Sequence, residues 1–244
     1  MDFWIIGLIE QCVQPSNDPL IQNLKELVMT KENALTLAWI KLGALAGISA
    51  CIIYPLMIAV EMPKQLTVAC AAAFGPLLSL ASVGLYHLLK LHQKTVTAQI
   101  ATGANIIAGS IVNMMLVVQL AISYSMQDYL KNAGEEATKS TLEWIGKVVD
   151  KVQLGLDVSW DVFIAIGTLL FAVNMLNHPR FGKILGGIGA LLAVLLLGFN
   201  LYFFPMPPAN ANLIDFGPFV GLWYFVASIQ TLRSLTWAKD LLEA

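Results

Sequence analysis

Four carboxylates stand where long apolar runs begin or end: Glu61, Asp157, Asp161 and Asp215. Glu61 follows the first span, Asp157 and Asp161 precede the fourth and Asp215 precedes the sixth, so they gather at one mouth if those helices are neighbours. Carboxylates gathered at one end of a membrane bundle can attract cations or exchange protons, because like charges held side by side make ionisation costly. Asp161 and Asp215 lie nearest the apolar runs and are the leading members of this group of outer carboxylates. A plainer role also fits. Charged groups collect where spans meet water, and Asp157 and Asp161 suit the start of a helix, where the dipole favours acids.

A second constellation is an amide face inside the longest apolar run, 99–126. At about 100° per residue Thr102, Asn105, Gly109 and Asn113 fall on one side, with Gln119 further along the run. An amide in lipid needs a partner, so this face points into protein. It reads either as glue between helices or as a polar path or ligand pocket along Thr102, Asn105, Asn113 and Gln119.

The three histidines, His87, His92 and His178, all fall near ends of spans. His87 and His92 are about 140° apart on a helix and do not pair, but either can meet His178 from a neighbouring helix and hold a haem iron or a metal. No carboxylate that could accept from and orient a ligating imidazole is near them in sequence, and no cofactor is otherwise implied. Lys90, Lys94, Arg180 and Lys183 lie close by and suit a rim that meets anionic lipid headgroups.

No nucleophile elbow, P-loop, dinucleotide fingerprint or H-E-x-x-H helix occurs, and no residue pair is identified as catalytic. An enzyme acting on lipid stays open, with a non-enzyme the expectation. Cys12, Cys51 and Cys70 have no C-x-x-C spacing and imply neither a disulfide framework nor a thiolate metal site.

These residues need elements to hold them, and composition says which kind. The chain has 244 residues, 57% hydrophobic and 12% charged, against about 25% charged in an ordinary soluble domain. It is read as an all-α polytopic integral membrane protein: one transmembrane domain over 1–244, a six-transmembrane-helix bundle with two amphipathic surface helices. With a net charge of −2 and no basic patch suited to phosphates, nucleic acid is excluded as a partner. Membrane lipids are the expected contacts, with a second copy or a membrane-complex subunit as further partners.

The N-terminal region, 1–36, opens with an apolar piece over 1–10. It has Asp2 where a signal peptide would carry a basic residue, and is read as retained. Asp18 and Pro19 then start an amphipathic helix in which Leu20, Ile21, Leu24, Leu27 and Val28 share a face. Spans follow at 37–60, 66–91, 99–126, 160–176, 183–204 and 213–235. The one sizeable loop, 127–158, lies on the outer side. Within it Ser140-Thr141-Leu142-Glu143 fits a capping box ahead of Ile145, Val148, Val149 and Val152 at helical spacing. Pro205-Met206-Pro207-Pro208 stops the fifth span. Six spans put both termini on the side holding Lys90, Lys94, Arg180, Lys183 and Arg233, which the positive-inside rule makes cytoplasmic.

The first and last hairpins echo one another. Lysine, a glycine-rich helix, Met-Pro and a returning Phe-Gly-Pro recur as Lys41, Met62-Pro63, Phe74-Gly75-Pro76 and as Lys183, Met206-Pro207, Phe216-Gly217-Pro218. This reads either as a parallel repeat or as coincidence among residues common in spans. Proline in a returning helix predicts a kink in each.

His178-Pro179-Arg180-Phe181-Gly182-Lys183 and Asp215-Phe216-Gly217-Pro218-Phe219-Val220-Gly221-Leu222-Trp223 resemble stretches of small multi-span bacterial membrane proteins of unknown function. The resemblance covers the last third of the chain. It implies a bacterial inner-membrane protein and carries no activity. The functional expectations are therefore three: a small transporter or channel-like protein, a non-enzymatic accessory or sensor subunit of a membrane complex, or a haem- or lipid-binding membrane protein.

Overall fold

The computed structural model describes residues 19–206 and 214–243, with side chains from Met29 onward. The apolar piece 1–10, the Asp18 cap, Cys12, the apolar face from Leu20 to Val28, the Pro207-Pro208 stop and the expected start of the sixth span at Leu213 lie outside this description. Among the described residues all regular structure is helical: α1 Pro19–Ala59, α2 Lys64–His92, α3 Val96–Asn132, α4 Glu136–Met175, α5 Gly182–Phe203, α6 Gly217–Arg233 and α7 Leu235–Glu243. The contacts divide the chain into Met1–Ala38, whose described part is the first stretch of α1, and Trp39–Ala244, which holds all the packing described below.

Among the described residues five stretches are long and apolar enough to cross a membrane: Met29–Ala59, Lys64–His92, Val96–Asn132, Thr138–Met175 and Gly182–Phe203. Their outward faces agree. In α5, where mean hydropathy reaches 2.3, the exposed residues include Ile184, Ile188, Leu191, Val194 and Leu201. In α3 they include Ile100, Ile107, Met114 and Val118. Apolar stripes of this length are tolerated where the surrounding solvent is itself hydrocarbon.

The elements differ from the sequence expectation in four places. The N-terminal surface helix and the first span are one helix, α1, because no glycine or proline separates Leu20 from Leu42 and nothing stops propagation. The expected outer loop 127–158 is helical almost throughout. Residues 133–135 alone separate α3 from α4, and Ser140-Thr141-Leu142-Glu143 lies inside α4, so it caps nothing. At about 1.5 Å per residue these helices, of 37 and 40 residues, far exceed the roughly 30 Å hydrocarbon core and must run past it.

The third and fourth differences concern the last hairpin. Phe216-Gly217-Pro218 does not kink a returning helix; it begins one. Asp215 Oδ1 accepts the Gly217 N–H at 2.8 Å, and Pro218 sits in the first turn of α6, where its missing N–H breaks no bond. The expected sixth span is thereby shortened to the 17 residues of α6, and a turn at Ser234 leads into α7.

In the first hairpin the same tripeptide does fall mid-helix. Pro76 in α2 leaves the carbonyl of Ala72 without its helical donor. Asn113 of α3 supplies one: with its amide nitrogen facing α2, it donates to Ala72 O at 2.8 Å and Ala71 O at 3.2 Å. The break made by one helix is mended by the next. The two Phe-Gly-Pro copies therefore do different work, and the hairpin echo does not extend to their geometry.

Where α1 crosses α2, backbone meets backbone. A Cβ added at Gly84 would lie 2.6 Å from Gly43 Cα and 2.8 Å from the Trp39 carbonyl, neither of which can turn aside. Gly84→Val is therefore expected to force the two helices apart and cost about 1–3 kcal/mol. Gly103→Ala, at a position with open space around it, is expected to leave stability unchanged or slightly raised. Thermal unfolding of both variants in mild detergent checks the contrast. Equal midpoints would show that the crossing is not close.

Candidate functional site

Three groupings of polar side chains stand out among the described residues: a buried knot and one cluster toward each end of the bundle. The knot is built on Asn105, which is fully buried in α3. Its Nδ2 donates to Ser82 Oγ of α2 at 2.9 Å and to Tyr224 OH of α6 at 2.7 Å. Thr168 of α4 donates to the same phenol oxygen at 3.0 Å. One amide and one phenol thus tie four helices together. Gly167 leaves the space that Asn105 Oδ1 fills, and that oxygen is buried without a donor.

The rest of the expected amide path separates from this knot. Thr102 donates back to Ala98 O at 2.8 Å within its own helix, Asn113 repairs the break at Pro76, and Gln119 is exposed. They do not line a path with Asn105. Of the four, Asn105 alone faces polar groups from several helices.

At one end the structure gathers Asp157 and Asp161 of α4 with Asp215, just before α6. Each lies within electrostatic reach of the Tyr54 hydroxyl in α1. Glu61, in the turn after α1, is exposed and is not among the charges these groups feel. Asp215 is exposed too, and its carboxylate is committed to starting α6. Asp161 differs from all of them. It is 5% exposed, and no described residue hydrogen-bonds or ion-pairs with it. The charged groups it feels are other carboxylates; no lysine or arginine offsets them. On the same stretch of α4, Gln153 Nε2 and Trp160 Nε1 are buried donors that lack acceptors. Trp160 and Tyr54 both pack against the apolar cluster of Ala50, Phe74, Val112 and Met115, and the Tyr54 and Phe74 rings are 5.0 Å apart.

At the other end His92 and His178 meet edge to face, with ring centroids 5.3 Å apart, and Trp237 of α7 lies 5.3 Å from His178. His87 does not join them; it stacks on Trp39 at 6.0 Å. His178 Nδ1 accepts the Arg180 backbone N–H at 3.2 Å, which leaves the proton on Nε2. In that tautomer the Nδ1 lone pair is engaged by the backbone, and His92 meets the ring edge to face. Burial chiefly, and then the neighbouring His92, hold the His178 imidazole down to about 4, with Arg180 adding to this and the Leu88 carbonyl opposing it.

Around this pair the basic rim is uncompensated. The ion pairs among the described residues are Lys139 with Glu136 and Lys239 with Glu243, so no carboxylate neutralises Lys90, Lys94, Arg180 or Lys183. Arg180 is instead held as part of the fold. Its carbonyl accepts from Gln230 Nε2 at 2.5 Å, and its Nε lies 3.5 Å from Ser234 Oγ. Nearby, Asn174 of α4 joins Thr95 and Thr97 at the start of α3, at 2.5 and 2.9 Å.

Sequence reasoning did not single out Tyr54, Ser82, Thr168 or Tyr224. The available signal was general: a tyrosine or threonine within an apolar run needs a partner. Which tyrosine meets which amide depends on helix order, and spacing within one run does not carry that. Comparison with protein-family models, curated proteins and solved structures finds no match to this chain.

Two outcomes follow from the geometry. Tyr224→Phe removes the oxygen that accepts from both Asn105 and Thr168, and is expected to cost about 1–3 kcal/mol. Chemical unfolding in detergent should show that loss, and an unchanged midpoint would mean the knot carries no weight. The second concerns pH. Between about 6.5, the ordinary imidazole value, and about 4, the unfolded chain binds a proton that the folded His178 site refuses. Stability should therefore fall as pH drops through that window, and His178→Gln should flatten the fall, read as unfolding midpoint against pH.

Proposed function

We propose that the protein is a small multi-pass membrane transporter in which Asp161 provides the negative charge that accompanies a transported cation or proton. The single observation behind this reading is Asp161, buried within the membrane-length helix stretch Thr138–Met175 with no partner among the described residues. An ionised carboxylate in such surroundings needs a counter-charge, and carboxylates kept there without one commonly lie on ion pathways. Asp157 and Tyr54 share its surroundings, and Asp215 marks the mouth.

In this reading α6 is a sixth, short crossing, supported by the burial of Val220, Trp223, Tyr224, Ala227 and Thr231 within the bundle. Both termini then lie on one side. The uncompensated Lys90, Lys94, Arg180 and Lys183 make that side cytoplasmic, facing anionic headgroups. The resemblance of 178–183 and 215–223 to bacterial multi-span proteins favours a bacterial inner membrane.

An accessory subunit of a membrane complex is the second reading. It is favoured by Trp144, Val148 and Val152, which are exposed on one face of α4 in the stretch expected to lie beyond the hydrocarbon.

The test is proton movement in liposomes that enclose a pH-sensitive dye, challenged from outside with sodium, potassium and a permanently charged tetraalkylammonium cation. Wild-type protein should move protons in exchange for at least one cation, and Asp161→Asn should reduce that exchange to the protein-free level with the helical circular-dichroism signal unchanged. Equal exchange by wild type and Asp161→Asn, or no exchange above empty liposomes, would overturn the transport reading. A stoichiometric protein partner retained through purification would then support the accessory one.

A further inference from the structure

Acidic residues at the end of a bundle identify no ligand by themselves. What distinguishes this group is the company of Asp161. Asp161 is only 5% exposed and has no hydrogen-bond or ion-pair partner among the described residues, and the Tyr54 ring, whose hydroxyl is within electrostatic reach of Asp157, Asp215 and Asp161, has two kinds of neighbour. Toward the acids it offers an oxygen. Toward the bundle it stacks near Phe74 and packs, with Trp160, on the same apolar cluster. Aromatic faces carry negative potential and attract cations. Leu77 and Leu156 complete an apolar wall against that cluster.

The composition of this place argues against a small inorganic cation. Magnesium or calcium takes about six or more oxygen ligands held close together. Among the described residues no three acidic, histidine or cysteine side chains converge as metal ligands do. Lys64, the basic residue near the outer end of α2, is engaged elsewhere, with its Nζ 4.4 Å from the centre of the Tyr124 ring. The site is thus negative, unneutralised and walled by rings and aliphatic groups.

We propose that this site binds an organic cation with an apolar body, its positive centre set against Asp161 and Asp157 and its body against Tyr54 and Trp160. The proposal rests on the transport reading for its purpose and names the substrate class of the same site. Binding involves no covalent step. The ligand brings the counter-charge that Asp161 lacks, and its apolar body occupies a wall that a hydrated inorganic ion would leave unused.

The test uses two ions of one shape and opposite charge. Full-length protein in mild detergent is titrated calorimetrically with tetraphenylphosphonium and, separately, with tetraphenylborate. Saturable binding of the phosphonium at about one per protein is expected, with none of the borate, and Asp161→Asn should weaken phosphonium binding at least about tenfold. Tyr54→Leu should also weaken it, and Tyr54→Phe should not, since the ring face is kept. Equal uptake of both ions would show partition into apolar surface and overturn the proposal. So would the absence of saturable phosphonium binding, or unchanged affinity in Asp161→Asn. The comparison of the two ions on wild-type protein stands even if a variant fails to fold. The two readings fail separately. Cation-driven proton exchange without phosphonium binding removes this proposal and leaves transport standing. Phosphonium binding that depends on Asp161, without any exchange in liposomes, removes transport and leaves the site.

Discussion

The hydrogen bonds of the Asn105 amide hold the described bundle in one arrangement. Inside a bilayer no water is available to satisfy a polar side chain, so an amide placed there either finds protein partners or destabilises every arrangement that leaves it bare. Asn105 finds Ser82 and Tyr224, and Tyr224 recruits Thr168. The register of α2, α3, α4 and α6 is therefore coupled: sliding any one of them by a turn would leave several polar atoms unpaired together. Helix contacts made only of small residues, such as Gly43 against Gly84, have no comparable directionality. They permit closeness, and the amide selects which closeness.

That selection bears on Asp161. It lies seven positions before Thr168 on α4, two helical turns away and on nearly the same face. Once the knot orients Thr168 inward, Asp161 is carried inward as well, although nothing at its own level pairs with it. A carboxylate kept in this position is a cost that the remote hydrogen bonds of the knot offset. The opposite end shows the complementary imbalance, with Lys90, Lys94, Arg180 and Lys183 unpaired among the described residues while a neutral His178 is held among rings.

The two Phe-Gly-Pro tripeptides show how far a motif can be carried without its surroundings. The same three residues interrupt α2 and begin α6. What differs lies outside the tripeptide: Asp215 precedes one copy and accepts its glycine N–H, whereas the other lies within a long apolar run and depends on Asn113 from another helix. Asn113 looks much like Asn105 in sequence, an amide on the same face of the same run. One mends a neighbour's backbone and the other organises the bundle, because each answers the polar group that happens to face it.

By itself the sequence determined that the chain is helical and built of stretches able to cross a membrane, since hydropathy and helix length are local properties of consecutive residues. It also pointed to Asn105 and Asp161, because an amide or an acid at the edge of or within an apolar run must be accounted for wherever it lies. Its element boundaries were less secure. With no proline or glycine pair to stop them, helices ran on through the expected surface helix before residue 37 and through most of 127–158. The tertiary structure alone decided partners: that Asn105 meets Tyr224 while Gln119 meets none among the described residues, that His92 reaches His178 while His87 turns to Trp39, and that Asp161 is left without a described partner. The physical reason is that hydrogen bonds and charge pairing depend on which helix faces which, a relation between residues distant in the chain that spacing within any one run does not contain.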